Sequence, residues 1–190
     1  MIISNDHPFF FLQSLFLKHD AVFNLSKYIY KTDTLFDDRE SLSIQSSELT
    51  LEWVEDIINS LNPEQELAFH SKVKIKNKIF HIPMIDFAIA NNLNNEVIDR
   101  IRNFIPKKIS RNFVFFRSGK SFHAYSTTLV TYNEWLDFMG RLLLINLPND
   151  SQIIDTRWIG HRLINRFASL RWSNNSGKYV IMPHQINVLI

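Results

Sequence analysis

The order of hydrophobic patterns in the last two-thirds of the chain is the feature that most limits how it can fold. Residues 72–90 are strand-like, and a helical repeat of apolar residues begins at about Asn95. Two more strand-like arms follow at residues 112–117 and 122–129, and a capping box at residues 131–134 opens another helix. This β-α-β-β-α order predicts an α+β fold.

The C-terminal part predicts one more helix and one more hairpin. The helix spans about residues 157–167, and the strands span Ala168–Trp172 and Tyr179–Met182, with a turn at residues 174–177 between them. Basic residues cluster here and at residues 107–120, although the net charge is only +2. The overall charge therefore does not indicate nucleic-acid binding, and a solvated basic face is the simplest interpretation of each cluster.

The N-terminal third contains weaker signals. Residues 21–30 predict a strand, and Thr50 caps a helix whose apolar residues recur at helical spacing. A soft boundary follows near Asn62-Pro63. We therefore predict an N-terminal extension or subdomain at residues 1–62 and a core at residues 63–190.

Composition excludes several classes of site. The chain has 190 residues and no cysteine, so disulfides, zinc-thiolate sites and iron–sulfur clusters are excluded, which fits an intracellular protein. The apolar segment Pro8–Leu17 is only ten residues long and no basic segment precedes it. This favours a core segment over a signal peptide or a membrane span, and we expect a cytoplasmic protein without membrane contact.

The turn between the arms at 112–117 and 122–129 carries the most chemistry. Gly119 supplies a positive φ, and the strand period places Ser121, His123 and Tyr125 on one face. The Gly-Lys-Ser triplet is not a P-loop, because that motif requires a glycine at the position of Val114. Two interpretations stay open: a phosphate site, or an exposed turn followed by a histidine with an ordinary hydrogen bond.

Three short motifs occur in a fixed order along residues 72–183. An apolar strand ends at Asp86, a Ser-Phe-His strand covers residues 121–123, and Ile154-Asp155 precedes the segment Ser169–Lys178 with its Arg and Lys. This order resembles the archaeo-eukaryotic primase superfamily, the primase and primase-polymerase group. The resemblance implies an RRM-like antiparallel or mixed sheet with packed helices, beside an N-terminal α/β extension.

The resemblance also implies roles for individual residues. Asp86 and Asp155 would be catalytic and would hold Mg²⁺ or Mn²⁺, which prefer carboxylate oxygens. The triphosphate of a nucleoside triphosphate would be bound by Ser121, His123, Lys120, Arg171 and Lys178.

Single-stranded DNA or RNA is the expected second partner. Arg162 and Arg166, beside Trp158, Trp172 and Tyr179, would contact the strand. Aromatic residues at such spacings also occur in cores, so both interpretations of the aromatics stay open.

The chain departs from the family pattern at one carboxylate. The first motif contains Ala88 where the second acid of a pair is expected, so a second metal would be poorly held. We expect a catalytically weak or inactive primase-like nucleotidyltransferase domain that still binds nucleotide or nucleic acid. The alternatives are a non-enzymatic nucleic-acid-binding or scaffolding subunit of a replication or defence complex, and a plain α+β interaction domain. Asp86 could equally cap a strand end, and Asp155 a helix.

Overall fold

The computed structural model describes residues 2–31, 34–35, 37–90 and 92–188. Within these ranges the chain forms six helices and two antiparallel sheets, so the predicted α+β class is confirmed. The nine strands, in chain order, are β1 Ala21–Ile29, β2 Arg39–Gln45, β3 Gln65–Ile75, β4 Lys78–His81, β5 Met84–Asp86, β6 Phe113–Ser118, β7 Ser121–Ser126, β8 Ser169–Arg171 and β9 His184–Ile186. The helices are α1 Pro8–Lys18, α2 Leu51–Asn59, α3 Asn95–Phe104, α4 Lys107–Ser110, α5 Tyr132–Ile145 and α6 Thr156–Asn165.

The first sheet is built around β3. Strand β1 pairs with one edge of β3, and β2 pairs with the far edge of β1. Two strands pair with the other edge of β3, one after the other along its length: β8 with residues 68–70 and β4 with residues 72–75. Strand β1 precedes the predicted boundary near Asn62-Pro63 and β3 follows it, so one sheet contains strands from both sides.

The second sheet has the order β5-β7-β6-β9. The hairpin predicted around residues 118–121 is confirmed as β6 and β7, and Gly119 at its turn has a φ of +66°. An L side chain rarely adopts this backbone conformation, which explains a glycine here. Strand β5 adds to the other edge of β7, with Asp86 opposite His123.

Two predicted strands differ in the structure. The strand-like segment predicted at residues 72–90 is interrupted at Pro83, so that β4 before it belongs to the first sheet and β5 after it to the second. Proline has no N–H for a ladder, so the chain changes sheets where that donor is missing. The prediction of a strand over Tyr179–Met182 was wrong, and β9 forms at residues 184–186 instead. The carbonyl of Ile181 accepts a hydrogen bond from the Arg171 side chain at 3.3 Å, which takes the place of a ladder partner.

The core joins the N-terminal third to the rest of the chain. The rings of Phe69 on β3 and Trp172 stack with centroids 4.4 Å apart, and Phe9 and Phe16 of α1 pack against this pair. The expectation that residues 8–17 belong to the core is met for the buried face of α1, whereas Leu17 is exposed. The capping box that opens α5 is also confirmed. No helix in the described ranges is long and apolar enough to cross a membrane.

Candidate functional site

Strands from both sheets and the start of α6 enclose a cavity of about 320 Å³. Its walls include the side chains from all three sequence motifs: Asp86 of β5, Ser121 and His123 of β7, and Asp155 and Arg171. Asp86 and His123 are paired across β5 and β7, and an Asp86 carboxylate oxygen lies 3.7 Å from His123 Nε2. The backbone N–H of Asp155 donates to the carbonyl of Asp86 at 3.0 Å, which brings the third motif against the first.

The environment of Asp86 and His123 favours their neutral forms. Burial, reinforced by the charge of Asp155, raises the pKa of Asp86 to about 8. Burial and the nearby charge of Arg171 hold the pKa of His123 well below its usual range. The Nδ1 atom of His123 is buried without a hydrogen-bond partner among the described residues. A neutral carboxyl beside a neutral imidazole leaves the cavity without a fixed negative charge at this point.

Asp155 has a structural role that sequence analysis left open. Its carboxylate oxygen Oδ1 accepts a hydrogen bond of 2.9 Å from the backbone N–H of Trp158, so it caps the N-terminus of α6. This interpretation is confirmed, and the metal role that the resemblance implies would have to use the remaining oxygen. In the described part of the chain, no group of three or more histidine, aspartate or glutamate side chains is arranged to hold a metal ion.

Ala88 follows Asp86 on the same extended segment. Its N–H donates to the carbonyl of Ile153 at 2.8 Å, and its side chain is exposed. Because strand side chains alternate, Ala88 and Asp86 point to the same face. A carboxylate at position 88 would therefore stand beside Asp86, and the alanine leaves that place without a ligand.

Arg171 is a buried cation without a matching anion. Only 4% of the residue is exposed, and no carboxylate oxygen of the described residues lies within 4.0 Å of its guanidinium nitrogens. Its hydrogen bonds go to neutral oxygens: the carbonyl of Ser173, the hydroxyl of Ser118 at 2.8 Å and the carbonyl of Ile181 at 3.3 Å. The ring of Tyr179 covers one face of the guanidinium, 3.9 Å from its carbon.

The other predicted phosphate ligands are placed differently. The hydroxyl of Ser121 lines the cavity and donates to the carbonyl of Phe87. Lys178 is exposed and its ammonium donates to the carbonyl of Tyr30 at 3.0 Å. Lys120 is exposed at the hairpin turn and is not among the residues that line the cavity. Of the predicted phosphate ligands, the fold therefore places Ser121 and Arg171 in the cavity wall and leaves Lys120 and Lys178 outside it.

Arg162 and Arg166 also have different environments. Arg162 is 3% exposed, and its guanidinium binds the Asp37 carboxylate at 2.5 Å and the Ser169 hydroxyl at 2.7 Å. Arg166 is exposed at the C-terminus of α6, where its φ of +61° ends the helix. Arg162 faces the cavity as part of an internal ion pair, whereas Arg166 remains accessible. The predicted contact of these residues with nucleic acid stays a prediction.

The aromatic residues near these arginines divide between core and cavity. Trp172 is fully buried against Phe69, so the core interpretation is correct for this residue. Trp158 is 9% exposed, lines the cavity and donates from its indole nitrogen to the carbonyl of Ser169 at 3.0 Å. Tyr179 lies in the cavity wall on Arg171.

Several residues of the cavity were missed by sequence analysis. They share no local motif, and most come from the N-terminal third: Tyr28, Tyr30, Asp37 and Arg39, together with Ser118 from the hairpin. Ser118 lies next to the predicted Gly119 turn, but its role as a hydrogen-bond acceptor for Arg171 depends on β8, which belongs to the other sheet. No signal in the sequence links Tyr28 or Asp37 to the Ser-Phe-His strand, because that proximity is created by the pairing of β1 with β3.

The fold and the three converging motifs define a primase-like α+β domain, and a comparison with protein families identifies it further. The model of the family described as AEP-like, archaeo-eukaryotic primase 1D-like, matches residues 45–184. The match covers well over half of the chain, so the chain belongs to this family. The resemblance that the motifs indicated is thereby confirmed. Neither the curated proteins nor the solved structures contain a significant match.

Proposed function

We propose that this chain binds a nucleoside triphosphate in the cavity between the two sheets, and that its capacity to join nucleotides is weak or absent. The observation that carries the proposal is Arg171, a buried guanidinium on the cavity wall that has no carboxylate of the described residues within 4.0 Å. A buried unpaired charge is costly, and an anionic ligand relieves that cost. Membership of a primase-like family favours a nucleotide as that anion.

The donors around Arg171 suit a phosphate group. Arginine offers a planar set of N–H donors that matches phosphate oxygens, and its neighbour Ser118 has a hydroxyl. Ser121 and His123 stand on the adjacent strand and add a hydroxyl and an imidazole. While Asp86 is protonated it does not repel the anion, and it would lose its proton when a cation binds. Lys120 and Lys178, exposed outside the cavity, would contribute long-range attraction.

The carboxylates fit one divalent cation rather than two. Asp86 and Asp155 would hold a Mg²⁺ or Mn²⁺ ion together with triphosphate oxygens and waters, since Mg²⁺ commonly uses few protein carboxylates. The ion would neutralise triphosphate charge. The exposed alanine at position 88 gives a second, activating cation no ligand, which is why we propose weak or absent synthesis.

Ligand binding is tested by thermal unfolding with and without ATP or dATP, in the presence of Mg²⁺ and, separately, Mn²⁺. At a ligand concentration about 100 times Kd, linkage stabilises the folded state by about 2.7 kcal/mol. For a chain of this size that corresponds to a rise in Tm of about 5 to 10 °C. No rise with either metal would refute the proposal.

Variants show which residues carry the binding. Arg171→Gln should abolish the rise, because glutamine keeps polar contacts but removes the positive charge. His123→Ala and the more conservative His123→Gln should weaken it strongly. Arg102→Gln is the matched control. Arg102 is 44% exposed, forms a surface ion pair on α3 and does not line the cavity. A control variant that lost binding as Arg171→Gln does would contradict the assignment.

The alanine at position 88 supports a second candidate function, a nucleic-acid-binding or scaffolding subunit within a replication or defence complex, because such a role needs no metal pair. This function predicts binding of a fluorescent single-stranded DNA or RNA that weakens as salt rises and survives Asp86→Asn. Binding insensitive to salt would exclude contacts to the phosphate backbone. Primer extension by an Ala88→Asp variant distinguishes the two functions, because activity restored by this change requires an otherwise complete nucleotidyltransferase site.

A further inference from the structure

Two stacked pairs of an arginine on a tyrosine meet in the cavity wall. The Arg171 guanidinium lies over the Tyr179 ring at 3.9 Å, and the Arg39 guanidinium lies over the Tyr28 ring at 4.2 Å. Tyr28 and Tyr179 both line the cavity. Tyr28 is 8% exposed on β1, so the first sheet holds it rigidly.

Tyr179 has no secondary structure to hold it in place. Residues 176–181 form bends rather than a strand, so their position depends on side-chain contacts. One of those contacts comes from the residue after β1: the carbonyl of Tyr30 accepts from the Lys178 ammonium at 3.0 Å. The hairpin turn packs on the other side, where a Cβ added to Gly119 would lie 3.5 Å from the Tyr179 ring.

We propose that Tyr179 is a positioning residue for the phosphate-binding guanidinium of Arg171. This inference rests on the proposed nucleotide binding. Tyr179 covers one face of the guanidinium, and Ser118, Ser173 and Ile181 accept from its nitrogens, so its orientation in the wall is defined before a ligand arrives. A donor that is already oriented loses less conformational freedom on binding.

The first test measures the affinity for inorganic triphosphate and for ATP by calorimetry. Tyr179→Leu should weaken both about tenfold, which is within the range of a desolvated cation–π contact. Tyr179→Phe keeps the ring and should stay within about threefold of the original protein.

Tyr132→Leu is the matched control. Tyr132 lies on α5, is 37% exposed and does not line the cavity, so its replacement should leave the affinity unchanged. Tyr179→Leu that bound triphosphate within twofold of the original protein would overturn the inference.

A second readout does not require a ligand. The rate at which phenylglyoxal modifies Arg171, followed by mass spectrometry, reports how accessible the guanidinium is. Tyr179→Leu should raise this rate at least fivefold, Tyr179→Phe and Tyr132→Leu should leave it unchanged, and an unchanged rate in Tyr179→Leu would overturn the inference. If the original protein binds no triphosphate at all, the proposed function fails, while the modification rates still decide whether Tyr179 positions Arg171.

Discussion

Replacing Asp37 by asparagine should destabilise the folded protein, because the change leaves a buried arginine without its counter-charge. Asp37 accepts from Arg162 at 2.5 Å, from Arg39 at 2.7 Å and from Asn165 at 2.7 Å. The side chain of Arg162 is only 4% exposed and that of Asp37 only 15%. Removing one partner of a buried pair costs about 3 kcal/mol or more. For a chain of this length, the Tm should fall by about 6 to 12 °C.

The pH dependence of the Asp37 pair gives an independent check. Burial alone would raise the pKa of Asp37, but the hydrogen bonds and charges of Arg39 and Arg162 outweigh it and lower that pKa. A lowered pKa means that the ionised carboxylate stabilises the fold above about pH 4 and that this contribution is lost as the pH falls further. The difference between the original protein and Asp37→Asn should therefore shrink between pH 6 and pH 3.

Urea unfolding of Asp37→Asn is compared with Asp99→Asn, which breaks the exposed pair between Asp99 and Arg102 on α3. The control should change the free energy of unfolding by less than about 1 kcal/mol. Adding Arg162→Met to Asp37→Asn should recover part of the loss, because it removes the unpaired cation. An Asp37→Asn protein as stable as the original, or as little affected as the control, would refute the argument.

Three further predictions concern the site and the core. Asp86→Asn should become more stable than the original protein as the pH rises, by about 2 kcal/mol or more between pH 5 and pH 8, because a carboxyl pKa raised to about 8 makes ionisation costly in the folded state. Thermal unfolding of both proteins across this range would show parallel curves if the carboxyl were not perturbed. Trp172→Ala should cost about 3 to 5 kcal/mol in urea unfolding, since Trp172 is fully buried against Phe69; a loss below 1 kcal/mol would contradict its place in the core. Thr131→Ala should cost about 1 kcal/mol by removing the capping box of α5, and an unchanged Tm would show that other contacts hold this helix end.

Local chemistry explains what could be predicted from the sequence. The hairpin at residues 113–126 follows from two strand-like arms and a glycine at the turn, and α5 follows from its capping box and apolar stripe. The order of the three motifs was enough to indicate the family, which the match over residues 45–184 confirms. These signals lie within short segments, so they do not depend on contacts between distant parts of the chain.

The places where prediction failed depend on distant contacts. Residues 179–182 have strand-like composition, yet Tyr179 packs on Arg171 and the Ile181 carbonyl accepts from the same guanidinium, so no strand forms there. The contact of Arg162 with nucleic acid stays a prediction, but its pairing with Asp37 could not be foreseen, because only the tertiary structure brings Asp37 to it across 125 positions of sequence.

The sequence by itself determined the class of fold, the family and the three motifs that meet at the site, because these follow from periodicity, turn residues and motif order. The tertiary structure decided which of those groups share a cavity and which are engaged elsewhere. Pairing of β1 with β3 brings Tyr28 and Asp37 to a site whose motifs lie more than 40 residues later in the chain. The physical reason is that burial and charge balance depend on what packs around a side chain, and sequence order does not contain that arrangement.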